Sequence, residues 1–463
     1  MTKSKQQNLF TNRQIAAIIL PLFLQNLLSI AIGMADSMMV SNKGEAAFAG
    51  VSLVNSLDTV LITLFSALTA GGSVVLAQAM GRKDRKFACE AAKQMLYVST
   101  FVAAVISMVV LLLRVPILKI MFGEVEVDVF ENALAYFFFI GLSFPFLAAE
   151  NSVDATLRAQ GDSITSLKIS LLMNLLNIGG NAIFIYVLDL GAMGAAIATL
   201  ISRMTGSVIK LIIIHDPSRY IYMSRLFQYR PDASIIKSIL CIGVPNGIEN
   251  TMFQFGRLMT SSLVSSLGTV AIAANAAALS LANLQYTTGG AVQSSMVAVV
   301  GRCVGAKEKE QAKYYTRLLL WIAYVSIFVV VVLLSVFSTP LLRFYGLPSD
   351  TAVIARRLLL YHGVVSIFIW PVAFCLPPAF RAAKDVKFTM VVSTVSMWVF
   401  RVALAYVMAK STVSLFGIVS FRGLALGVMG VWIAMTVDWV VRFILFIVRF
   451  LSGKWLSKYQ EYQ

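Results

Sequence analysis

Charged residues are scarce in this 463-residue chain, where Asp, Glu, Lys and Arg together occupy 13% of the positions. Hydrophobic residues occupy 59%, and the mean hydropathy is +0.82. Soluble domains carry about 25% charged residues, so this composition excludes an ordinary soluble domain. A chain this long and this apolar needs many membrane spans.

Cysteine and nucleotide-binding motifs are also lacking. The four cysteines, Cys89, Cys241, Cys303 and Cys375, show no CxxC spacing, which argues against a disulfide framework and against a zinc site. No GxxxxGK[ST] stretch is present, so we expect no ATP hydrolysis by a P-loop. The first apolar run has no small-residue cleavage site behind a short apolar core, which argues against a removable signal peptide. We therefore predict a protein that is not an enzyme and uses no cofactor.

What the chain has instead is a series of apolar runs separated by charged or turn-forming breaks. Each run is long enough to cross the hydrocarbon core as a helix. We therefore predict an all-α polytopic membrane protein with twelve transmembrane helices. The predicted spans are residues 14–40, 48–79, 90–113, 130–157, 165–188, 191–214, 235–265, 271–300, 313–337, 352–380, 387–409 and 425–451.

The basic residues predict the orientation of these spans. Lys and Arg collect before the first span, after the second, sixth and eighth spans, and at the end of the chain, whereas FGEVEVDVFE between the third and fourth spans is acidic. Short cytoplasmic loops carry the excess of Lys and Arg, so both termini are predicted to be cytoplasmic. The net charge of +16 then reflects topology and contact with anionic membrane lipids, and we expect no nucleic-acid partner.

The two halves of the chain repeat. LPLFLQN (20–26) matches VPNGIEN (244–250), AQAMGRKDRKFA (77–88) matches GRCVGAKEKEQA (301–312), and GAMGAAIA matches GVMGVWIA. This predicts two six-helix bundles related by pseudo-twofold symmetry, with a cavity between them that suits alternating access. The predicted parts are an N-terminal lobe (1–214), a cytoplasmic linker (215–234), expected to be a solvated connector, and a C-terminal lobe (235–463).

Several motifs in this order resemble the multidrug and toxic compound extrusion (MATE) family. They are Pro21 with Asp36, GRKDRKFA, LRAQGD, NLLNIGGNAIFIYVLDLGAMGAAIATLIS and GVPNGIEN, and together they cover nearly the whole chain. The resemblance implies a secondary active antiporter, driven by H⁺ or Na⁺, that exports amphipathic organic cations or drugs across a bacterial plasma membrane. We expect such a protein to work as a monomer. Two alternatives stay open: a flippase for a lipid-linked precursor, against which the mostly acidic interior charges speak, and a membrane receptor or scaffold, which the repeat disfavours.

Asp36 is the main candidate for ion coupling. It lies in a run of small and apolar residues, and its repeat partner is the uncharged Thr260. A carboxylate partly removed from water can bind a proton or Na⁺ and release it when the cavity opens the other way. The resemblance adds Asn177, Asn181 and Thr199 as groups that coordinate the ion or water beside it. The alternative is that these amides hold neighbouring helices together.

A departure from the family pattern concerns Asn181, where many members carry Asp. The absence of a carboxylate at position 181 weakens the case for Na⁺ binding, because carboxylate oxygens hold Na⁺ best. Na⁺ at Asp36 remains the only metal that we consider. Charge could come instead from Glu150 and Asp154, one helical turn apart, which would attract cationic substrates. Asp154 could alternatively pair with Arg158.

Further cavity candidates are uncharged or isolated. Tyr136 and Asn151 stand where family members line the cavity. Asp58 lies about ten residues into the second span and has no charged repeat partner. Glu249, which stands in place of Gln25, is predicted to contact substrate or to pair with Arg257. Arg401, inside the eleventh span, is predicted to snorkel or to pair with a carboxylate.

Overall fold

The computed structural model describes residues 9–123, 126–224, 230–343, 345–415 and 419–461. Part of the predicted linker, residues 225–229, and the basic residues Lys3 and Lys5 lie outside the described residues. The chain forms two compact units, Met1–Gly247 and Ile248–Gln463. The lobe boundary at residue 235 stays a prediction.

Three helices of the first unit begin at a polar side chain that caps them. The Thr11 hydroxyl accepts a hydrogen bond from the Gln14 amide N–H, and the Gln14 side chain accepts one from the Thr11 N–H, which is a capping box. The carboxylates of Asp84 and Asp162 each cap a later helix by accepting a hydrogen bond from a backbone N–H of its first turn. The helices are α1 (Asn12–Ser41), α2 (Glu45–Gly81), α3 (Arg85–Phe122), α4 (Val127–Gln160), α5 (Ser163–Asn181) with a π-helical continuation (Ala182–Val187), and α6 (Gly191–Ile214).

Helix α7 (Ala233–Ser265) crosses the division between the units, and the remaining elements belong to the second. Pro371, Pro377 and Pro378 interrupt the tenth span with a π-helical turn, because proline removes backbone donors. The elements are α8 (Thr269–Gly305), α9 (Lys309–Val336), α10 (Ser338–Arg343), α11 (Ser349–Trp370), a π-helix (Pro371–Cys375), α12 (Pro377–Ala382), α13 (Val386–Val395), a π-helix (Ser396–Ala403), α14 (Leu404–Ala409), the antiparallel strands β1 (Thr412–Leu415) and β2 (Val419–Arg422), α15 (Gly427–Leu451) and α16 (Lys454–Glu461).

All twelve predicted spans are helical, and the predicted fold class is confirmed. Among the described residues, ten helical stretches are long and apolar enough to cross a membrane. The other two predicted spans, α7 and α8, are helical but more polar. Helix α7 carries Glu249 and Arg257, and α8 buries Gln285, Thr287 and Thr288. The protein is a multi-pass membrane protein.

The backbone repeats as the sequence does. A lysine with positive φ is uncommon, yet Lys83 and Lys307, which are repeat partners, have φ values of 59° and 64°. The same rare conformation at matched positions shows that the two halves fold alike. The other matched positions with positive φ are Gly44 with Gly268, Gly123 with Gly346, Gly161 with Lys384, Asp189 with Ala425, and Gly191 with Gly427.

The core of the first unit lies between α2 and α4. The rings of Phe65 and Phe144 pack with centroids 5.6 Å apart. At Gly50 a Cβ atom would lie 2.8 Å from the Val129 carbonyl oxygen, so only glycine permits this approach of the two helices. This close packing places the polar residues of α2 against those of α4.

The described part of the linker packs on the first unit, and the expectation of a solvated connector was wrong for it. Ile221 and Met223 are fully buried. The Arg219 guanidinium lies 2.8 Å from the Asp162 carboxylate, and Arg85 donates hydrogen bonds to three linker carbonyls. The apolar residues inside this basic segment explain the docking, since burying them is favourable.

Candidate functional site

Asp36 lies near the end of α1 and is partly buried. The Asn181 amide Nδ2 donates a hydrogen bond to Asp36 Oδ1 over 2.5 Å. Asp36 has no cation within 4 Å among the described residues. Six other interior carboxylates described there do have one, namely Asp58, Glu150, Asp154, Glu249, Asp385 and Asp438. The only side-chain hydrogen bond to Asp36 within the described part of the chain comes from a neutral amide.

The four residues predicted for ion coupling form one hydrogen-bonded chain. Asn181 Nδ2 also lies 3.5 Å from Asn177 Oδ1. Asn177 Nδ2 donates to the Thr199 hydroxyl over 3.2 Å, and that hydroxyl donates to the Ala195 carbonyl over 3.0 Å. The chain therefore links Asp36 on α1 through two amides on α5 to α6.

Small residues let α5 and α6 approach closely enough for this chain. A Cβ atom at Gly194 would lie 2.8 Å from the Phe184 carbonyl oxygen, and one at Gly180 would lie 3.0 Å from the Ala198 Cβ. Such small residues are typical of helix contacts in membranes. Helix α5 changes to a π-helix directly after Asn181, and π-helical turns often occur at functional sites.

Among these four hydrogen-bonded side chains, one buried oxygen atom accepts no hydrogen bond. Asn181 is fully buried, and its Oδ1 accepts no hydrogen bond from the described residues. A buried acceptor without a donor is unfavourable. A proton on Asp36, or a small cation between the carboxylate and the amide oxygen, would satisfy it. The arrangement can therefore bind a proton or a hard cation through oxygen atoms.

Asp58 forms an ion pair that sequence reasoning missed. Its Oδ2 lies 3.3 Å from Arg203 Nη2, and Arg203 Nη1 donates to the Ser143 hydroxyl over 2.8 Å. Nearby, the Tyr136 hydroxyl donates to Asn55 Oδ1 over 3.2 Å. Asp58 and Tyr136 thus hold α2, α4 and α6 together.

Glu150 and Asp154 share one buried lysine. Lys210 Nζ lies 2.7 Å from Glu150 Oε1 and 2.8 Å from Asp154 Oδ2, and Lys210 is fully buried. The Ser166 hydroxyl donates to Asp154 Oδ1 over 2.6 Å. Asp154 therefore pairs with Lys210, and the alternative pairing with Arg158 was wrong. Lys210 neutralises one of the two negative charges and occupies an oxygen atom of each carboxylate, so the pair is a structural ion-pair cluster rather than two free carboxylates.

Glu249 and Asn151 differ in their environments. Glu249 Oε2 lies 3.4 Å from Arg381 Nη1, so the predicted partner Arg257 was wrong. Asn151 Nδ2 is buried and has no hydrogen-bond acceptor among the described residues. Asn151 thus keeps an unused donor, whereas Glu249 is already paired.

The second unit has its own charged cluster. Asp438 Oδ1 lies 2.8 Å from Arg442 Nε, and Asp438 Oδ2 lies 3.8 Å from Arg401 Nη1. Arg401 thus pairs with a carboxylate, which was one of its two predicted roles. The buried charged side chains described in this unit are two basic ones, Arg401 and Arg442, and two acidic ones, Asp385 and Asp438, which contradicts the expectation of mostly acidic interior charges.

A signal for the missed cations exists in the repeat. GAMGAAIA and GVMGVWIA align α6 with α15, which places Trp439 opposite Arg203 and Phe446 opposite Lys210. A charged residue whose repeat partner is apolar does not have the packing role that the two halves share. The described residues contain no cluster of three or more His, Cys, Asp or Glu side chains suited to a metal ion.

Comparisons with known proteins agree with this architecture. A sequence model of the MatE family matches residues 21–183 and 245–407, one match in each half. The chain is 27% identical over 454 residues to "Probable multidrug resistance protein NorM" of Thermotoga maritima, covering 96% of this chain and 93% of that protein. It is 26% identical over 446 residues to "Uncharacterized transporter YisQ" of Bacillus subtilis, covering 95% and 94%. The crystal structure of MATE in the bent conformation superposes with a TM-score of 0.85 at 21% identity, covering 97% of this chain and 96% of that one.

Proposed function

We propose that this chain, which belongs to the MatE family of membrane transporters, is a secondary active multidrug antiporter of the bacterial plasma membrane. It exports amphipathic organic cations or drugs in exchange for H⁺ or Na⁺ by alternating access. It works as a monomer with both termini in the cytoplasm, in contact with membrane lipids. The observation that carries this proposal is the carboxylate of Asp36, which has no ion pair among the described residues, beside Asn181 Oδ1, which accepts no hydrogen bond there.

The substrate class rests on the relatives. The Thermotoga maritima protein is named for multidrug resistance, and this favours drug export over the flippase alternative. The orientation rests on the basic loops of the sequence. The unused donor of Asn151 supports a role for this residue in holding a polar group of the substrate.

Coupling follows from the hydrogen-bonding capacity of the pair. A charged Asp36 can only accept, so Asn181 turns its NH₂ group toward it, as observed. A protonated Asp36 can donate, and Asn181 Oδ1 is then the acceptor that it needs. Neutralisation of Asp36 therefore reverses the amide and changes the contact of Asn181 with Asn177. This local change alters the contacts of α1 with α5 and α6 and so couples ion binding to the movement of these helices.

The proposal is tested with purified protein in proteoliposomes. Efflux of a fluorescent organic cation is measured with a pH gradient alone, with a Na⁺ gradient alone, and with neither. We expect one gradient to drive efflux in the parent. Asp36→Asn should abolish gradient-driven efflux at pH 6 to 8 and leave folding intact, because no apolar contact is lost and the hydrogen bond to Asn181 can persist.

The matched control is Asp128→Asn, which removes an exposed carboxylate from the first turn of α4. This variant should pump like the parent. Efflux by Asp36→Asn at the parental rate would reduce Asp36 to a residue of the membrane boundary. Efflux that depends on neither gradient would remove the antiporter assignment altogether.

A further inference from the structure

The second unit contains a small cavity of about 40 Å³ with both polar and apolar walls. A single water needs roughly 10–15 Å³ by this kind of measure, so the cavity has room for a monatomic ion with a water but not for an organic drug. Its walls come from α7, α8, the π-helix before α14, and α15. The lining residues are Thr260, Ser261, Val264, Asn275, Leu279, Arg401, Val431, Trp432 and Met435.

The polar groups of this cavity are mainly donors. The Trp432 indole N–H donates to Asn275 Oδ1 over 2.9 Å and uses one lone pair of that oxygen, while the Asn275 NH₂ group supplies two further donors. Arg401 supplies N–H groups only, and Ser261 adds a hydroxyl. No carboxylate stands among the lining residues that the structure describes. Such a set of donors suits an anion and not a cation.

The charge beside the cavity is positive. Arg401 is about nine-tenths buried, and its Nη1 lies 3.8 Å from Asp438 Oδ2. Asp438 is held more closely by Arg442, with 2.8 Å between Arg442 Nε and Asp438 Oδ1, and by the Ser396 hydroxyl. Two guanidinium groups therefore share one carboxylate. A buried cation that is only partly compensated is unfavourable unless an anion joins it.

The internal repeat relates this cavity to the Asp36 site of the other half. Thr260 stands in the place of Asp36, and Met435 stands in the place of Thr199. The two family matches begin and end 224 residues apart, so Arg401 stands at the place of Asn177 or one position from it. The cavity is thus the counterpart of the Asp36 site in the other half, with the carboxylate lost and a guanidinium gained.

We propose that this cavity binds a small monovalent inorganic anion of the halide class, held by Arg401, Asn275 and Ser261. The anion completes the charge balance of Arg401, Arg442 and Asp438. The site is independent of the proposed antiport, because its occupancy needs neither a substrate nor an ion gradient.

The test uses the purified full-length protein with bromide as the probe. Thermal unfolding midpoints are measured while NaBr replaces sodium gluconate at constant Na⁺ and ionic strength, and bromide is located in crystals by anomalous scattering. We expect a saturable rise of the midpoint and a bromide peak in the cavity. Arg401→Gln should weaken bromide binding on the order of 10- to 100-fold, the loss of one charge-assisted contact.

A second variant guards against misfolding of the first. Thr260→Asp restores the carboxylate of the other half and supplies Arg401 with a permanent anion, so it should fold and lose the bromide response. Thr260→Val is its matched control and should keep that response, because the Thr260 hydroxyl already donates to backbone carbonyls of its own helix. Asp36→Asn should also keep it. A parent protein without a saturable bromide effect and without a bromide peak in the cavity would overturn the proposal, as would an unchanged response in Thr260→Asp.

Discussion

Replacing Lys210 with methionine removes the one cation that holds two buried carboxylates. Lys210 Nζ lies 2.7 Å from Glu150 Oε1 and 2.8 Å from Asp154 Oδ2. Lys210→Met keeps most of the buried aliphatic chain, so the lost packing is small. What remains is a pair of carboxylates one helical turn apart in an apolar interior, without their shared counter-ion.

The expected cost is that of breaking a buried ion pair from one side, about 3–5 kcal/mol. The triple variant Glu150→Gln, Asp154→Asn, Lys210→Met removes all three charges. Replacing a whole buried ionic group with neutral residues is often neutral or stabilising, and the Ser166 hydroxyl can still donate to the side chain at position 154. The triple variant should therefore be within about 1 kcal/mol of the parent, although it changes more residues.

The measurement is the thermal unfolding midpoint in detergent, followed by transport in proteoliposomes. At roughly 2–4 °C per kcal/mol for a unit of this size, Lys210→Met should lower the midpoint by about 6–20 °C. The triple variant should restore it and should keep gradient-driven efflux with the parental pH dependence, because these charges stabilise the fold. A midpoint of Lys210→Met equal to that of the parent would refute the reasoning, and a well-folded triple variant without efflux would return Glu150 and Asp154 to the transport path.

Two further predictions concern other carboxylate sites. Asn181→Asp adds a second carboxylate group beside Asp36. Its negative charge attracts a Na⁺ ion at 4 Å by up to about 4 kcal/mol near a protein surface. The Na⁺ concentration for half-maximal efflux should fall about tenfold or more, and an unchanged value would contradict a cation site there. In the linker contact, burial raises the pKa of Asp162, but hydrogen bonds from Arg219 and Thr165 outweigh it and hold the pKa below its usual range. Its stabilisation of the docked linker is thus complete above the unfolded pKa and disappears as the pH falls through the lower folded value. Hydrogen exchange at Ile221 to Met223 should be faster in Asp162→Asn than in the parent at pH 5 to 7, and the difference should shrink as the pH falls below the usual pKa of an aspartate. A difference that does not change with pH would contradict this assignment.

The positions of the helices could be predicted closely because the hydropathy of the sequence determines them. Apolar runs of about 20 residues must be helical in lipid, since their backbone groups have no other partners. The repeat predicted two alike bundles, and the positive φ shared by the repeat partners Lys83 and Lys307 agrees with that prediction. The family resemblance placed Asn177 and Asn181 in one site, and their separation of four residues, which puts both on one helical face, agrees with the hydrogen-bonded cluster.

The ion pairs could not be predicted in the same way. Lys210 and Arg203 are single charges in an apolar helix, and no periodicity along α6 says which carboxylate on α2 or α4 each one meets. That pairing depends on the rotation of one helix against another, which hydropathy does not determine. The docking of the linker was missed for a related reason, because Ile221 and Met223 are too few to form an apolar run.

The pairing pattern separates carboxylates that stabilise the fold from the one that suits exchange. A carboxylate beside a buried guanidinium or ammonium group cannot take up a proton without leaving that cation uncompensated, which is costly in an apolar interior. Asp58 and Glu249 are in this position. Glu150 and Asp154 share Lys210, so this lysine stays paired only while at least one of the two is charged. An amide partner imposes no such penalty, because it has both a donor and an acceptor and can serve either form of the acid. Among the interior carboxylates that the structure describes, Asp36 has this kind of partner, and proton or Na⁺ exchange there changes the net charge without breaking an ion pair.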